Sequence, residues 1–272
     1  MRSPTRRLGL FIVPLALIAI LAPAAAFATD VAPTAAEMRA AELQTLSLVN
    51  AQRVARGLVP VRLDLRMASI ARGRAAYMAQ TGDFDHVQAD GVTVFDIIAA
   101  HKIKWYEAGE IIAWNTAITA ADSASMAVDM WMASPTHEAI IVSRDFNYAG
   151  FGMVVSPTTG RRYWAGVFLK GPDRTGAHAG VTSVASTPVD GGKARVVLRW
   201  SGSDPRLQVL TSGLAVYEIQ RRSPGGAWYS YGITTSTSAV RTWTRGLTYQ
   251  FRVRARDRAG NWGAFHTVSV TP

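Results

Sequence analysis

The spacing of apolar positions changes along the chain and marks out its elements. Leu43, Leu46 and Val49 form a stripe at helical spacing, with Asn50 and Arg53 on the same repeat, and Gly57 is a natural stop, so a first helix is predicted. A second follows: Asp64 as cap, Met67, Ile70, Ala71, Ala75 and Met78 as its buried face, and Gly82 as its end. Thr93 opens a short third helix through Ile97 and Ile98, and residues 121–133 form a fourth with Met126, Val128, Met130 and Trp131. Ser134-Pro135 restarts a helix, with Ser as N-cap and Pro in the first turn. From Tyr148 to Val155 and from Tyr163 to Lys170 the alternation becomes that of strands, around a turn at Pro157-Thr158-Thr159-Gly160, so a hairpin is predicted. Helices ahead of strands imply an α+β sandwich.

Beyond residue 180 the pattern is strand throughout. Val196, Leu198 and Trp200 alternate, as do Tyr217 and Ile219, and Tyr249, Phe251, Val253 and Ala255, with turns at Pro224-Gly225-Gly226 and Ala259-Gly260-Asn261. This pattern suits an all-β sandwich. Between the two regions, residues 172–180 are small, polar and aperiodic, which reads as a linker.

Charge separates the same two regions. Residues 29–179 hold 14 basic and 15 acidic side chains, whereas residues 180–272 hold 12 basic and 4 acidic, a formal −1 against +8. At the start, Arg2, Arg6 and Arg7 precede an apolar run from Leu8 to Ala22 that ends in Ala26-Phe27-Ala28. The run is shorter than the roughly 20 residues that span a bilayer. A signal peptide over residues 1–28 is therefore expected, with a secreted mature chain that has no transmembrane segment. The modules are then 29–171, the linker 172–180, and 181–272. With no cysteine among 272 residues, thiolate zinc sites, iron–sulfur clusters, disulfides and thiol nucleophiles are excluded.

Familiar catalytic motifs are absent. His137-Glu138 lacks the second His of a zincin helix, because position 141 is Ile, and Asp83-Phe84-Asp85 does not continue as a calcium loop. There is no Gly-x-Ser-x-Gly elbow, no phosphate-binding glycine loop and no specific nucleic-acid motif. What remains is a sparse set: His86, Glu110 and His137. Two imidazoles and a carboxylate make either a first shell for a divalent metal such as Zn2+ or an acid–base set, if the fold gathers them. Ser134, three residues before His137, has the spacing of a nucleophile and base, but a Ser before Pro is first of all a helix cap.

The first module resembles the CAP superfamily in its cysteine-free, bacterial SCP-like form. The resemblance is carried by Leu48-Val49-Asn50-Ala51-Gln52-Arg53, Phe84 and His86, Gly109-Glu110-Ile111-Ile112-Ala113, Trp131, Ser134-Pro135, His137 and Gly150-Phe151-Gly152. It implies an α-β-α sandwich with a surface cleft. His86, Glu110 and His137 fall on three positions of a cleft tetrad of two His and two acids, and Ser134 meets the place of the second acid. The second module resembles a fibronectin type III domain, an immunoglobulin-like sandwich, through Trp200, Leu247-Thr248-Tyr249 and Asp257-Arg258-Ala259-Gly260-Asn261. In that resemblance Tyr249 is the corner tyrosine whose hydroxyl bonds back to the main chain.

Two functions follow as expectations. The first is a secreted protein that binds a ligand of unknown identity, or a metal, in the cleft. The second is a metal- or His-dependent hydrolase acting on peptide or cell-wall material. If Tyr249, Phe251, Val253 and Ala255 face inward, Arg252, Arg254 and Arg256 face water, and a neighbouring strand adds Arg222. Such a row suits an anionic polymer: a cell-envelope glycopolymer, phospholipid headgroups or nucleic acid.

Overall fold

The computed structural model describes residues 32–272. The expected signal peptide, residues 1–28, lies outside the described residues. Helix α1 (Ala35–Ala55) starts at a reciprocal Thr34/Glu37 capping box. Its buried face is Ala41, Glu42, Thr45, Val49 and Arg53, whereas Leu43 of the expected stripe is 44% exposed. The face is turned because two charged residues are buried with partners. Arg72 grips Glu42 through two bonds of 2.7 Å, and Arg53 donates to the carbonyls of Val59, Ile141 and Ser143. Sequence periodicity counts such residues as polar and places the face elsewhere.

Strand β1 (Arg62–Leu63) leads into α2 (Leu65–Thr81), which Asp64 caps and Gly82 ends at φ 76°. Helix α3 (Val94–Ala100) is capped by Thr93. Strand β2 (Glu107–Asn115) was not legible as a strand, because its apolar run is buried on both faces and does not alternate. Helices α4 (Ala120–Met132) and α5 (Pro135–Ile141) follow, then the hairpin β3 (Tyr148–Val155) and β4 (Arg162–Lys170). The sheet order is β1-β3-β4-β2. On one side Trp164 and Phe168 of β4 meet α1, α4 and α5, and on the other Ala165, Val167 and Leu169 meet α2 and α3. The sheet is thus the middle of three layers, and both layers of helices reach its outer strand β2.

The C-terminal region is built of two antiparallel sheets. Strands β5 (His178–Val189), β6 (Lys193–Ser203) and β9 (Ser238–Thr244) form one; β7 (Leu214–Arg222), β8 (Trp228–Thr234), β10 (Tyr249–Asp257) and β11 (His266–Val270) form the other, in the order β11-β10-β7-β8. Trp200, Tyr217, Phe251 and Val253 lie in the core between them. The Tyr249 hydroxyl accepts the Thr244 N–H at 3.2 Å.

The segment read as a linker, residues 172–180, is packed, and β5 begins inside it at His178. Arg174 pairs with Asp64 at 2.7 Å, Ala177 is fully buried, and Asn147 donates to the carbonyls of Gly171 and Val209. Leu207, from the loop after β6, is 2% exposed within the apolar layer under α2 and α3. Small polar composition reads as a linker when the partners, here Asp64 of Arg174 and Asn261 of the Asp173 carbonyl, are remote in sequence.

Candidate functional site

The cleft forms at the outer strand β2, where the two layers of helices meet. Alternation along β2 sends Ile111 and Ala113 toward α4 and sends Glu110 and Ile112 toward α2. Arg74, fully buried on α2, meets Glu110 there: Nε donates to Oε1 at 2.7 Å, and Nη2 donates to Oε2 at 3.3 Å and to the Asp85 carbonyl at 2.7 Å. The last bond ties down the loop that carries His86. His86 Nδ1 lies 2.9 Å from Glu110 Oε2. A carboxylate only accepts, so Nδ1 carries the proton toward Glu110; Nε2 has no protein partner among the described residues and in the neutral ring is an acceptor.

His137 comes from the first turn of α5, on the other side of the cleft, with its ring centroid 6.3 Å from that of His86. Burial, and secondarily the neighbouring His86, hold the His137 imidazole below its ordinary value. It is therefore neutral at pH 7. The unfolded chain takes up a proton near pH 6.5 that the folded His137 resists, so this residue's effect on stability turns unfavourable as pH falls through that value. Both rings line a cavity of about 370 Å3 walled by Phe84, Ile112, Trp114 and Met130. Ser134 lines it too and stands at the N-cap of α5, but its side chain makes no capping bond and lies 3.2 Å from the Thr136 hydroxyl. The cap expected of Ser134 is thus one of position only.

Arg74 was missed in the sequence, although a signal existed: it interrupts the buried stripe of α2 between Ala71 and Ala75, where an unpaired charge is not tolerated. A second cluster had no sequence signal. Ligand atoms of Asp173, Asp204 and Asp257, from three separate segments, lie within 4.8 Å of one another, and the three carboxylates could hold a metal ion. Burial first, then Asp173 and Asp257, raise the Asp204 carboxyl above its ordinary value.

The arginine row lies on one face of β7 and β10, where Arg252 stands opposite Gln220 and Arg254 opposite Glu218. It does not simply face water. The Arg252 guanidinium lies 4.0 Å from the ring centroids of both Trp228 and Phe265, Arg254 stacks at 4.4 Å on Trp262 and pairs with Glu218, and Arg256 and Arg222 flank Trp262 and Trp228 at 5.2 and 5.0 Å. Arginine stems and planar heads cover aromatic rings while their edges stay wet.

Residues 46–168 match the family model described as CAP, the cysteine-rich secretory protein family. This part of the chain matches that family although it holds no cysteine. An uncharacterized protein of Bacillus subtilis, YkwD, is 30% identical over 136 residues, 50% of this chain and 51% of that protein. The chain thus spans about half the length of this relative. Among solved structures, an outer surface protein of Borrelia burgdorferi aligns with a TM-score of 0.44 at 17% identity, over 52% of this chain and 96% of its own. An extracellular SCP-domain protein of Bacillus anthracis aligns with a TM-score of 0.44 at 21% identity, over 51% of this chain and 44% of its own.

Proposed function

We propose that the chain is a secreted binding protein whose CAP cleft holds a ligand with an apolar body and a hydrogen-bonding head. The observation that carries this is the buried Arg74–Glu110–His86 chain, which presents one imidazole nitrogen to a cavity with apolar walls. Such preorganised polar groups in an apolar pocket are the usual makeup of small-ligand sites. A hydrolase with Ser134 as nucleophile is less well supported, since the Ser134 hydroxyl is turned to Thr136 and not to an imidazole. No described helix is long and apolar enough to cross a membrane.

The test is titration with anilinonaphthalenesulfonate, which has an apolar body and an anilino N–H able to donate to His86 Nε2. His86→Ala is expected to weaken binding up to about tenfold, the upper end for one neutral hydrogen bond, while the thermal midpoint moves little because the His86 side chain is half exposed. Equal affinity in both proteins would refute the cleft as the site.

The same geometry favours a second reading, a divalent ion such as Zn2+ held by His86 and His137. Both oxygens of Glu110 are engaged, so Glu110 fits as the carboxylate behind His86 rather than as a third ligand. Two protein ligands make a weak site compared with the usual three or four. In calorimetry, Zn2+ heat should vanish in His137→Ala and should fade only at pH below about 6.5, because the folded His137 resists protonation. Heat unchanged by the substitution would point to ion binding elsewhere, with Asp173, Asp204 and Asp257 the next place to look.

The C-terminal sandwich is proposed to be of the fibronectin type III kind and to attach the protein to an anionic polymer of the cell envelope. Its support is the strand order, the Tyr249 bond to Thr244, and a face on which Arg222, Arg252, Arg254 and Arg256 outnumber one acid, Glu218. Replacing Arg252, Arg254 and Arg256 together with Gln should abolish salt-sensitive retention on a polyanionic resin. It should also lower the thermal midpoint by several degrees, because each guanidinium covers an aromatic ring. Retention that survives the change would dispose of the polymer face.

A further inference from the structure

We infer that the occupant of the cleft is an extended peptide segment with apolar side chains, which adds as a strand to the open edge of β2. The inference rests on the cleft being a ligand site and names the ligand class. In its sheet β2 is outermost and pairs only with β4. A strand with a single neighbour leaves the N–H and C=O groups of every second residue without a ladder partner. Among the described residues, the one side-chain bond made to this edge is from Trp131 Nε1 to the Ile112 carbonyl, at 2.9 Å. Yet the residues whose main chain faces this edge are not out in bulk solvent: Glu110 and Ile112 are 6% and 5% exposed. Buried main-chain groups are nearly always partnered, so this edge is built to receive donors and acceptors.

The surrounding space has the shape for a strand. The cavity of about 370 Å3 runs over Ile112, Ala113 and Trp114, a second of about 480 Å3 runs over Glu107, Ala108, Gly109 and Glu110, and His86 lines both. Together they follow β2 for seven residue steps, roughly 24 Å at strand rise. Phe84 and Met130 wall the first cavity, and Val87, Phe95 and Ile140 wall the second. Apolar pockets along an unpaired edge are the elements of strand addition, in which the main chain supplies affinity and alternate side chains supply selectivity. An acyl chain would fill the pockets and leave the edge amides unpaired. The buried cation at the cleft, Arg74, is already neutralised by Glu110, His137 is neutral, and Asp85 and Glu107 line the two cavities, so the cleft calls for a segment without acidic side chains.

The test uses the mature chain and a panel of acetylated, amidated seven-residue peptides carrying Val, Leu, Ile or Phe between terminal lysines, with anilinonaphthalenesulfonate titrated in parallel. At least one peptide should bind and displace the dye. Methylating its amide nitrogens one at a time should weaken binding tenfold or more at every second position and spare the positions between, the period of a strand edge. Val87→Lys and Met130→Lys, one in each cavity and both at surface positions 47% and 44% exposed, should each weaken the peptide at unchanged thermal midpoint. If the dye binds through His86 but no peptide does, or if methylation shows no alternation, strand addition is overturned and the cleft reading stands. If neither dye nor peptide binds, the cleft reading itself falls.

Discussion

Replacing Arg74 with Ala should cost about 3–5 kcal/mol of stability, the range for breaking a buried ion pair by removing one partner. The guanidinium is fully buried and the Glu110 side chain is 3% exposed, so neither group can turn to water when the other is lost. Two further consequences distinguish this change from a generic core lesion. The Asp85 carbonyl loses its donor, so the loop holding Phe84 and His86 loosens, and Glu110 loses the bonds that aim it at His86. Dye affinity should therefore fall with stability. Arg74→Met combined with Glu110→Gln removes both charges; it should recover much of the midpoint, since an apolar replacement of a buried pair is often neutral, but not the affinity, because His86 has lost its carboxylate. A midpoint for Arg74→Ala within about 1 °C of the parent would contradict the pairing, given that 1 kcal/mol corresponds to roughly 2–4 °C in a chain of this size.

Gly150→Ala is expected to be at least as severe. A Cβ at position 150 would lie 2.0 Å from the Ala68 nitrogen and 2.5 Å from the Met67 carbonyl carbon, and one at Gly152 would lie 2.2 Å from the Arg72 nitrogen. These neighbours are main-chain atoms of α2, so no side-chain rotation relieves the contact. The helix would have to lift from β3 along the turns that carry Met67, Ala71 and Arg74. A loss at or above about 3 kcal/mol, the upper end of overpacking, is the expected result of chemical denaturation. Gly180→Ala serves as control, because nothing lies within 4 Å of its added Cβ. Equal effects of the two changes would show that glycine entropy, and not close packing, sets the cost.

Much of the first domain was legible because its signals are local. Asp64 and Gly82 bracket α2, Thr93 caps α3, Ser134-Pro135 restarts the chain, and the β3–β4 hairpin alternates around its turn. Each is decided by a residue's own φ/ψ preference or by bonds to residues a few positions away, so order along the chain carries the information. The inward positions of β10 were legible for the same reason: Phe251, Val253 and Ala255 are all fully buried. His86, Glu110 and His137 were recognisable as residues able to do chemistry, and a resemblance placed them in one cleft.

Tertiary structure alone decided how they are used. Whether Glu110 ligates a metal or steers His86 depends on Arg74, 36 positions away, and whether the β10 arginines are free or stacked depends on Trp228, Trp262 and Phe265 from other segments. Residues 172–180 became a packed junction because Asp64 accepts from Arg174 while Ser212 and Asn261 donate to Asp173, and the Asp173, Asp204 and Asp257 cluster exists only once three segments meet. In each case the deciding energy is desolvation. A charge or main-chain group that would be inert in water becomes a paired, oriented group when folding removes its water, and the partner that satisfies it is chosen by proximity in space. Sequence fixes which residues can pair; only the fold sets which of them are deprived of water together.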